Sequence, residues 1–209
     1  MPPKAAGERR RPTQERAKAT REHILDTAAK LFGERGIADT STNRIATAAG
    51  VSIGTVYRYF TDRSVMVEEL LRRLLENVER RFSQRVFGLG EKPSEDVITG
   101  ILEVIADELV ENALLVRALV AGVQFYNSGI PEFEPRLRLL VKVLVIQLLG
   151  PGDDHEYDVM TFVLINTGFA AVLRASALEV DSKERAESIR MTARMMAAWV
   201  DAELAAVKK

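Results

Sequence analysis

Residues 42–61 read TNRIATAAGVSIGTVYRYFT, and the spacing of small and apolar residues in this stretch predicts its local structure. Two helices that cross closely need a small residue at the crossing, and Ala46 supplies it. The tight turn between them needs a residue that tolerates positive φ, and Gly50 supplies that. Val56 then ties the second helix to the core. This spacing is typical of a helix-turn-helix, which places its second helix in the major groove of DNA.

Helical periodicity continues along the rest of the chain. Apolar residues recur at helical spacing, and no convincing run of strict alternation indicates a strand. Thr20 is the expected N-cap of the first helix, and Gly36 is the residue expected to end it. The sequence therefore predicts an all-α fold of about nine helices. These helices are predicted at about residues 20–35, 42–49, 53–60, 63–87, 95–111, 113–126, 136–149, 156–178 and 182–206.

The composition is that of an ordinary globular protein with an uneven charge distribution. The chain has 209 residues, of which 47% are hydrophobic and 28% charged. It has no Cys, which excludes disulfides and thiolate metal sites. Residues 1–64 contain 12 Lys and Arg against 7 Asp and Glu, a balance of +5, and the remaining residues contain 17 against 23, a balance of −6. A basic front suggests a polyanionic partner, although an excess of this size also arises by chance.

A longer stretch, AAGVSIGTVYRYFTDRSVMVEEL at 48–70, is more specific than the spacing alone, and it resembles the TetR family of transcription regulators. The turn at 48–52, the recognition helix at 54–60 and the basic Arg63 match the family's signature in order, and the resemblance covers about residues 20–75. Three positions depart from the usual pattern. Ile53 replaces a common Lys, Arg58 stands where His or Trp is frequent, and Arg44 replaces a common acidic residue.

The resemblance implies two domains and a function. An N-terminal three-helix helix-turn-helix DNA-binding domain is expected at 20–62, and a C-terminal helical ligand-binding and dimerisation domain at 63–209. Residues 1–19 are expected to form a flexible basic arm, which either contacts DNA or serves as a solubilising tail. The implied function is that of a sequence-specific repressor, which binds a pseudo-palindromic operator as a homodimer and is released by a ligand.

The expected DNA contacts lie at the starts of the two helices of the motif and along the second one. Arg58 suits bidentate recognition of guanine or, alternatively, a phosphate contact, and Ile53 suits a thymine methyl group. The resemblance matches Tyr57 to a phosphate contact, whereas packing against the first helix is the alternative. The full set of predicted DNA-binding residues is Thr42, Asn43, Ser52, Ile53, Gly54, Thr55, Tyr57, Arg58, Tyr59 and Arg63.

The later helices carry the residues expected to sense a ligand. Their aromatic and aliphatic side chains, with a few polar atoms, suit a small apolar effector, although such residues are also ordinary core. The predicted ligand-binding residues are Phe125, Tyr126, Phe162, Ile165, Asn166 and Phe169.

The last two predicted helices also carry a candidate dimer interface. Small residues form a stripe on the helix at 156–178, and the helix at 182–206 has two apolar faces, both of which must be buried. A partner subunit would cover the second face, and coverage within one subunit is the alternative. The predicted interface residues are Leu164, Gly168, Ala171, Ala175, Met195 and Trp199.

Other function classes find less support in the sequence. An enzyme needs convergent acids, bases or nucleophiles, and this chain has only His23 and His155 besides its carboxylates and hydroxyls. The acidic cluster at 153–158 is better explained by a helix N-terminus than by a metal site. We therefore expect no enzyme, no cofactor, no metal and no membrane span, and we expect a cytoplasmic protein. The alternative function is a helical protein-interaction adaptor with a vestigial DNA-binding motif.

Overall fold

The structure is a computed structural model that describes residues 10–86, 93–122, 133–177 and 181–207. These residues form an all-α fold, which confirms the predicted fold class. The helices in the described ranges are α1 (Arg10–Arg35), α2 (Thr42–Ala48), α3 (Ile53–Tyr59), α4 (Arg63–Val86), α5 (Ser94–Glu111), α6 (Ala113–Gly122), α7 (Phe133–Leu149), α8 (Asp154–Ala177) and α9 (Ser182–Val207).

Helix α1 begins at Arg10, so residues 10–19, which the sequence analysis placed in a flexible arm, are helical. This segment contains several good helix formers, and Pro12 falls in the first turn, where backbone N–H groups have no intrahelical acceptor. Thr20, the expected N-cap, lies inside the helix, and its hydroxyl donates to the carbonyl of Arg16 at 2.9 Å. Gly36 has a φ of +83° and ends the helix as predicted.

Two connections join the helix-turn-helix to the C-terminal helices. Helix α4 follows directly from α3 and continues along α5. Helix α6 packs against α1, and the backbones approach so closely that a Cβ atom on Gly33 would lie 2.8 Å from the Cβ of Leu114. The position of α1 therefore depends on both α4 and α6.

A buried carboxylate fastens α4 to α5. Glu108 is almost fully buried, and its Oε2 lies 2.7 Å from Nε of Arg81 on α4. The side-chain amides of Asn77 and Asn112 donate to the other carboxylate oxygen at 3.0 and 3.2 Å. Because removing a partner of a buried charge is costly, these donors fix the position of α4 on α5.

The acidic residues at the start of α8 have structural partners. Asp153 accepts a hydrogen bond from the backbone N–H of Glu156 at 2.8 Å, as a helix cap does. Lys142 of α7 lies 2.7 Å from Asp154 and 2.6 Å from Asp158. The hydrogen bond to Asp154, and then that to Asp158, raise the pKa of Lys142 above its ordinary value.

Helix α8 is long and apolar. The segment Asp154–Ser176 has a mean hydropathy of 1.5 in its most apolar window, enough by length and composition alone to cross a membrane. It packs against α5, α7 and α9. Val159, Phe162 and Val163 of this helix remain exposed.

Candidate nucleic-acid interface

The turn between α2 and α3 has the backbone geometry that the sequence predicted. Gly50 has a φ of +65°, and its N–H donates to the carbonyl of Thr47 at 3.2 Å. The next N–H, of Val51, donates to the carbonyl of Ala46 at 3.0 Å, which completes the hydrogen bonding at the end of α2. Ala46 itself is buried at the crossing. These contacts set the angle at which α3 leaves α2.

Serine caps begin both helices of the motif. Ser41 accepts from the backbone N–H of Arg44 at 3.3 Å, and Ser52 accepts from that of Thr55 at 3.1 Å. The hydroxyls of Ser52 and Thr55 are also hydrogen-bonded to each other, at 2.8 Å. Both residues have some exposed surface at the start of α3.

One face of α3 points away from the core. Ile53, Gly54, Tyr57 and Arg58 share this face at helical spacing and are all exposed, whereas Val56 on the opposite face is fully buried. Tyr57 is 52% exposed. No hydrogen bond or ion pair within the described ranges holds the guanidinium of Arg58. We call these four residues the reading face.

The start of α2 lies beside the reading face. The hydroxyl of Thr42 is 3.3 Å from the hydroxyl of Tyr57. Tyr57 therefore contacts α2 through its polar end, while about half of its surface stays exposed. Asn43 and Arg44 are exposed next to Thr42.

Two predicted DNA contacts are engaged inside the protein. Tyr59 is half-buried and packs against the core. Arg63 donates through one guanidinium nitrogen to the carbonyls of Ile37, Ala38 and Thr40, at 2.7, 2.8 and 3.2 Å. Arg63 thus holds the connection between α1 and α2.

Sequence reasoning missed several residues that position the motif. Thr40 is fully buried, and its hydroxyl donates to the carbonyl of Gly36 at 2.8 Å, which anchors the same connection. The ring Nε2 of His23 lies 3.1 Å from the carbonyl of Ala49, so α1 contacts the end of α2. His23 is an exposed residue of a largely polar helix, so its residue type gave no signal of this contact.

Charged residues join α1 to α4 beneath the motif. Arg21 lies 3.2 Å from Glu69, and Arg73 lies 2.6 Å from Asp26. Burial raises the pKa of Glu69, but hydrogen bonds from Arg72 and Arg21 outweigh it, so the pKa of Glu69 is lower than its ordinary value.

Residues 24–70, which contain this whole arrangement, match the family of bacterial regulatory proteins described as the tetR family. The helix-turn-helix within residues 24–70 is therefore of the TetR type. Over 60 residues the chain is 45% identical to the HTH-type transcriptional regulator AcrR of Shigella flexneri. That match covers 29% of this chain and 28% of AcrR, so it reaches little beyond the helix-turn-helix.

Solved structures extend the similarity of fold to the C-terminal helices. A TetR-family transcriptional regulator from Streptomyces coelicolor is similar with a TM-score of 0.67 and 20% identity, over 91% of this chain and 88% of that one. FadR of Thermus thermophilus, a TetR-family repressor solved in complex with lauroyl-CoA, is similar with a TM-score of 0.53 and 23% identity, over 84% and 92%. At these identities the likeness concerns the fold.

The C-terminal helices line an apolar cavity of about 80 Å³. Two of the predicted ligand-binding residues, Ile165 and Phe169, line it. Asn166 is exposed and donates to the carbonyl of Phe162, which is itself 50% exposed, and neither lines the cavity. Phe125 and Tyr126 lie outside the described residues. The cavity lining comprises Val78, Phe82, Ile98, Ile101, Leu102, Ile105, Leu137, Val141, Leu144, Val145, Leu148, Leu164, Ile165, Gly168, Phe169, Val172, Met196 and Val200.

The predicted dimer residues fall on two different faces. Leu164, Gly168 and Ala175 are buried within one chain, where the first two line the cavity, because this stripe of α8 meets α5 and α9. Ala171 and Trp199 are half-buried. Of the six, Met195 alone is largely exposed, at 58%. The exposed apolar residues of α8 and α9 are Val159, Phe162, Val163, Met191 and Met195.

Proposed function

We propose that this protein is a DNA-binding transcription regulator that reads an inverted repeat as a homodimer and responds to an apolar ligand. The observation that carries the proposal is the reading face on a TetR-type helix-turn-helix. Ile53 offers an apolar contact for a thymine methyl, and Arg58 is a cation without an internal partner among the described residues. Tyr57 and Thr42 stand together beside them, where their hydroxyls suit phosphate oxygens.

A homodimer is proposed through the exposed apolar residues of α8 and α9. Phe162 and Met195 belong to this set, and each is at least half exposed, as the apolar residues of an interaction site are in a free subunit. A second copy of the chain fits the proposed function, because a two-fold dimer presents two reading faces to the two halves of a palindromic site.

The proposed effector site is the cavity of about 80 Å³. Its walls include Val78 and Phe82 of α4, the helix that continues from the motif, so an occupant that displaces α4 also moves α3. A ligand changes DNA affinity if it binds one position of α4 better than another. We propose that the protein represses transcription and that the ligand releases it from DNA, because a protein bound at a promoter blocks it by its presence alone. FadR, a protein of similar fold, was solved in complex with lauroyl-CoA, a molecule with an apolar acyl chain, which supports an apolar ligand here.

The test is selection of bound sequences from a random duplex pool by the purified full-length protein at two salt concentrations. Enrichment of an inverted repeat, with binding that weakens as salt rises, is the expected result. Failure to enrich any sequence, together with salt-independent or absent binding after removal of co-purified ligand, would favour the adaptor function. The proposed site of action is the cytoplasm, where bacterial DNA is accessible.

A further inference from the structure

A second, smaller cavity of about 20 Å³ lies beside the first. Val78 of α4 and Phe169 of α8 line both cavities, so these two side chains stand between them. Phe169 is only half-buried. The lining of the second cavity comprises Leu71, Leu74, Leu75, Val78, Leu109, Val116, Leu119, Phe169 and Leu173.

Both cavities have the same chemistry. Every lining residue within the described ranges is Gly, Val, Leu, Ile, Phe or Met, and none of these carries a charged, amide or hydroxyl side chain. Transfer of a polar group into such a space without a hydrogen-bond partner is unfavourable, whereas transfer of a methylene group is favourable. The part of a ligand that enters is therefore hydrocarbon.

We propose that the two cavities are compartments of one elongated site, divided by Phe169, for an unbranched aliphatic chain. The inference rests on the proposed effector function and specifies its ligand class. Rotation of the Phe169 ring joins the compartments, and a chain that extends past Val78 replaces the packing contacts that the empty spaces lack. A chain that is too short fills only the first compartment.

The second compartment is the one that borders the helix-turn-helix connections. Its walls include Leu71 on the first half of α4, as well as Val116 and Leu119 on α6. Helix α6 carries Leu114, whose side chain meets α1 at Gly33. Chain length should consequently separate two events, because short chains bind without disturbing α1 and α6, whereas longer chains bind and displace them.

The test uses straight-chain primary alcohols from hexanol to dodecanol and isothermal titration calorimetry on the full-length protein. Affinity should rise about fourfold for each added methylene while the chain stays in the site, and then reach a plateau. Val116→Leu adds one methylene group, which takes up space in the second compartment that a long alcohol would fill. The ratio of dodecanol affinity to hexanol affinity should therefore fall about fourfold. Val110→Leu, a matched change on α5 outside both linings, should keep the wild-type ratio.

A second variant addresses the partition itself. Phe169→Leu, which retains an apolar side chain and leaves a smaller void than Phe169→Ala, should move the plateau to longer alcohols. An unchanged ratio in Val116→Leu and an unchanged plateau in Phe169→Leu would confine the ligand to the first cavity and overturn the inference, while the proposed function would stand. No binding of any alcohol to the wild-type protein would overturn the apolar effector as well.

Discussion

The helix-turn-helix and the C-terminal helices are held together by different kinds of contact. In the former, Gly50 at a φ of +65°, Ser52 as a cap and Ala46 at a crossing each occupy a position that few residue types can fill. In the latter, α8 and α9 are apolar on more than one face, and burial of apolar area has no preferred direction. Backbone requirements thus determine which residue type stands at a given position. Burial of apolar area requires only that an apolar face of a helix is covered, and it does not determine by what.

The largest expected effect tests which face of the C-terminal helices meets a partner. Met195→Glu should raise the dissociation constant of the proposed dimer about a hundredfold or more, because an uncompensated buried charge costs about 3 kcal/mol. Sedimentation equilibrium measures this change. Leu139→Glu places the same charge on an equally exposed apolar residue of α7 and should leave the dimer intact. An intact dimer in Met195→Glu would remove the interface from this face of α9, and dissociation by Leu139→Glu as well would place α7 in the interface.

The next effect concerns Arg58 on the reading face. Arg58→Ala should weaken binding to the selected site by about 1–3 kcal/mol and relax specificity at one base pair, if the contact is to guanine. Competition binding with selected and random duplexes at one salt concentration gives both quantities. Arg80→Ala removes an equal charge from the exposed side of α4 and serves as the control. Equal losses on both duplexes would identify Arg58 as a phosphate contact instead.

Two glycines of the motif should respond in opposite directions. Gly50→Ala should lower the free energy of unfolding by about 1–2 kcal/mol through its positive φ, since no atom lies within 4 Å of the added Cβ. Gly54→Ala lies in α3, where the nearest atom to the added Cβ is the Ser52 Oγ at 3.8 Å, and should raise stability by up to about 1 kcal/mol. Urea denaturation compares them, and equal effects would contradict a backbone requirement at Gly50.

The smallest effect is the pH dependence of the ion pairs between α1 and α4. The pKa of Glu69 is lower in the folded protein than its ordinary value of 4.5, so its stabilisation is present above that pH and is lost as pH falls through the folded value. Glu69→Gln should therefore be less stable than the wild type at neutral pH, by less than about 1 kcal/mol. The difference should shrink in urea denaturation at about pH 3. A difference that persists there would show that it does not come from the charge.

The same contrast explains what could be predicted from the sequence. The turn at Gly50 follows from a local rule, and the structure has it where it was expected. The caps at Ser41 and Ser52 obey a local rule of the same kind. The internal role of Arg63 was missed because its acceptors are backbone carbonyls about 25 positions away. Every residue has a backbone carbonyl, so the sequence does not indicate which ones will accept.

In the C-terminal helices, periodicity identified the elements but not the direction of each face. Gly168 and Leu164 were expected at a dimer interface and line the cavity, since α8 turns its small residues toward Leu102 and Met196. Phe169 was predicted to bind ligand, and that role remains a prediction, although its place between two cavities could be seen only in three dimensions.

The buried contact between Arg81 and Glu108 gives α4 a fixed point about which the helix can tilt. With this point fixed on α5, α4 can tilt but cannot slide, since sliding would leave a carboxylate unpaired inside the protein. The arm from Arg81 to Arg63 spans 18 residues of helix, about 27 Å. A tilt of about 5° would then move Arg63 and the attached α3 by about 2 Å. A displacement of this size is larger than the increase in donor–acceptor distance that breaks a hydrogen bond.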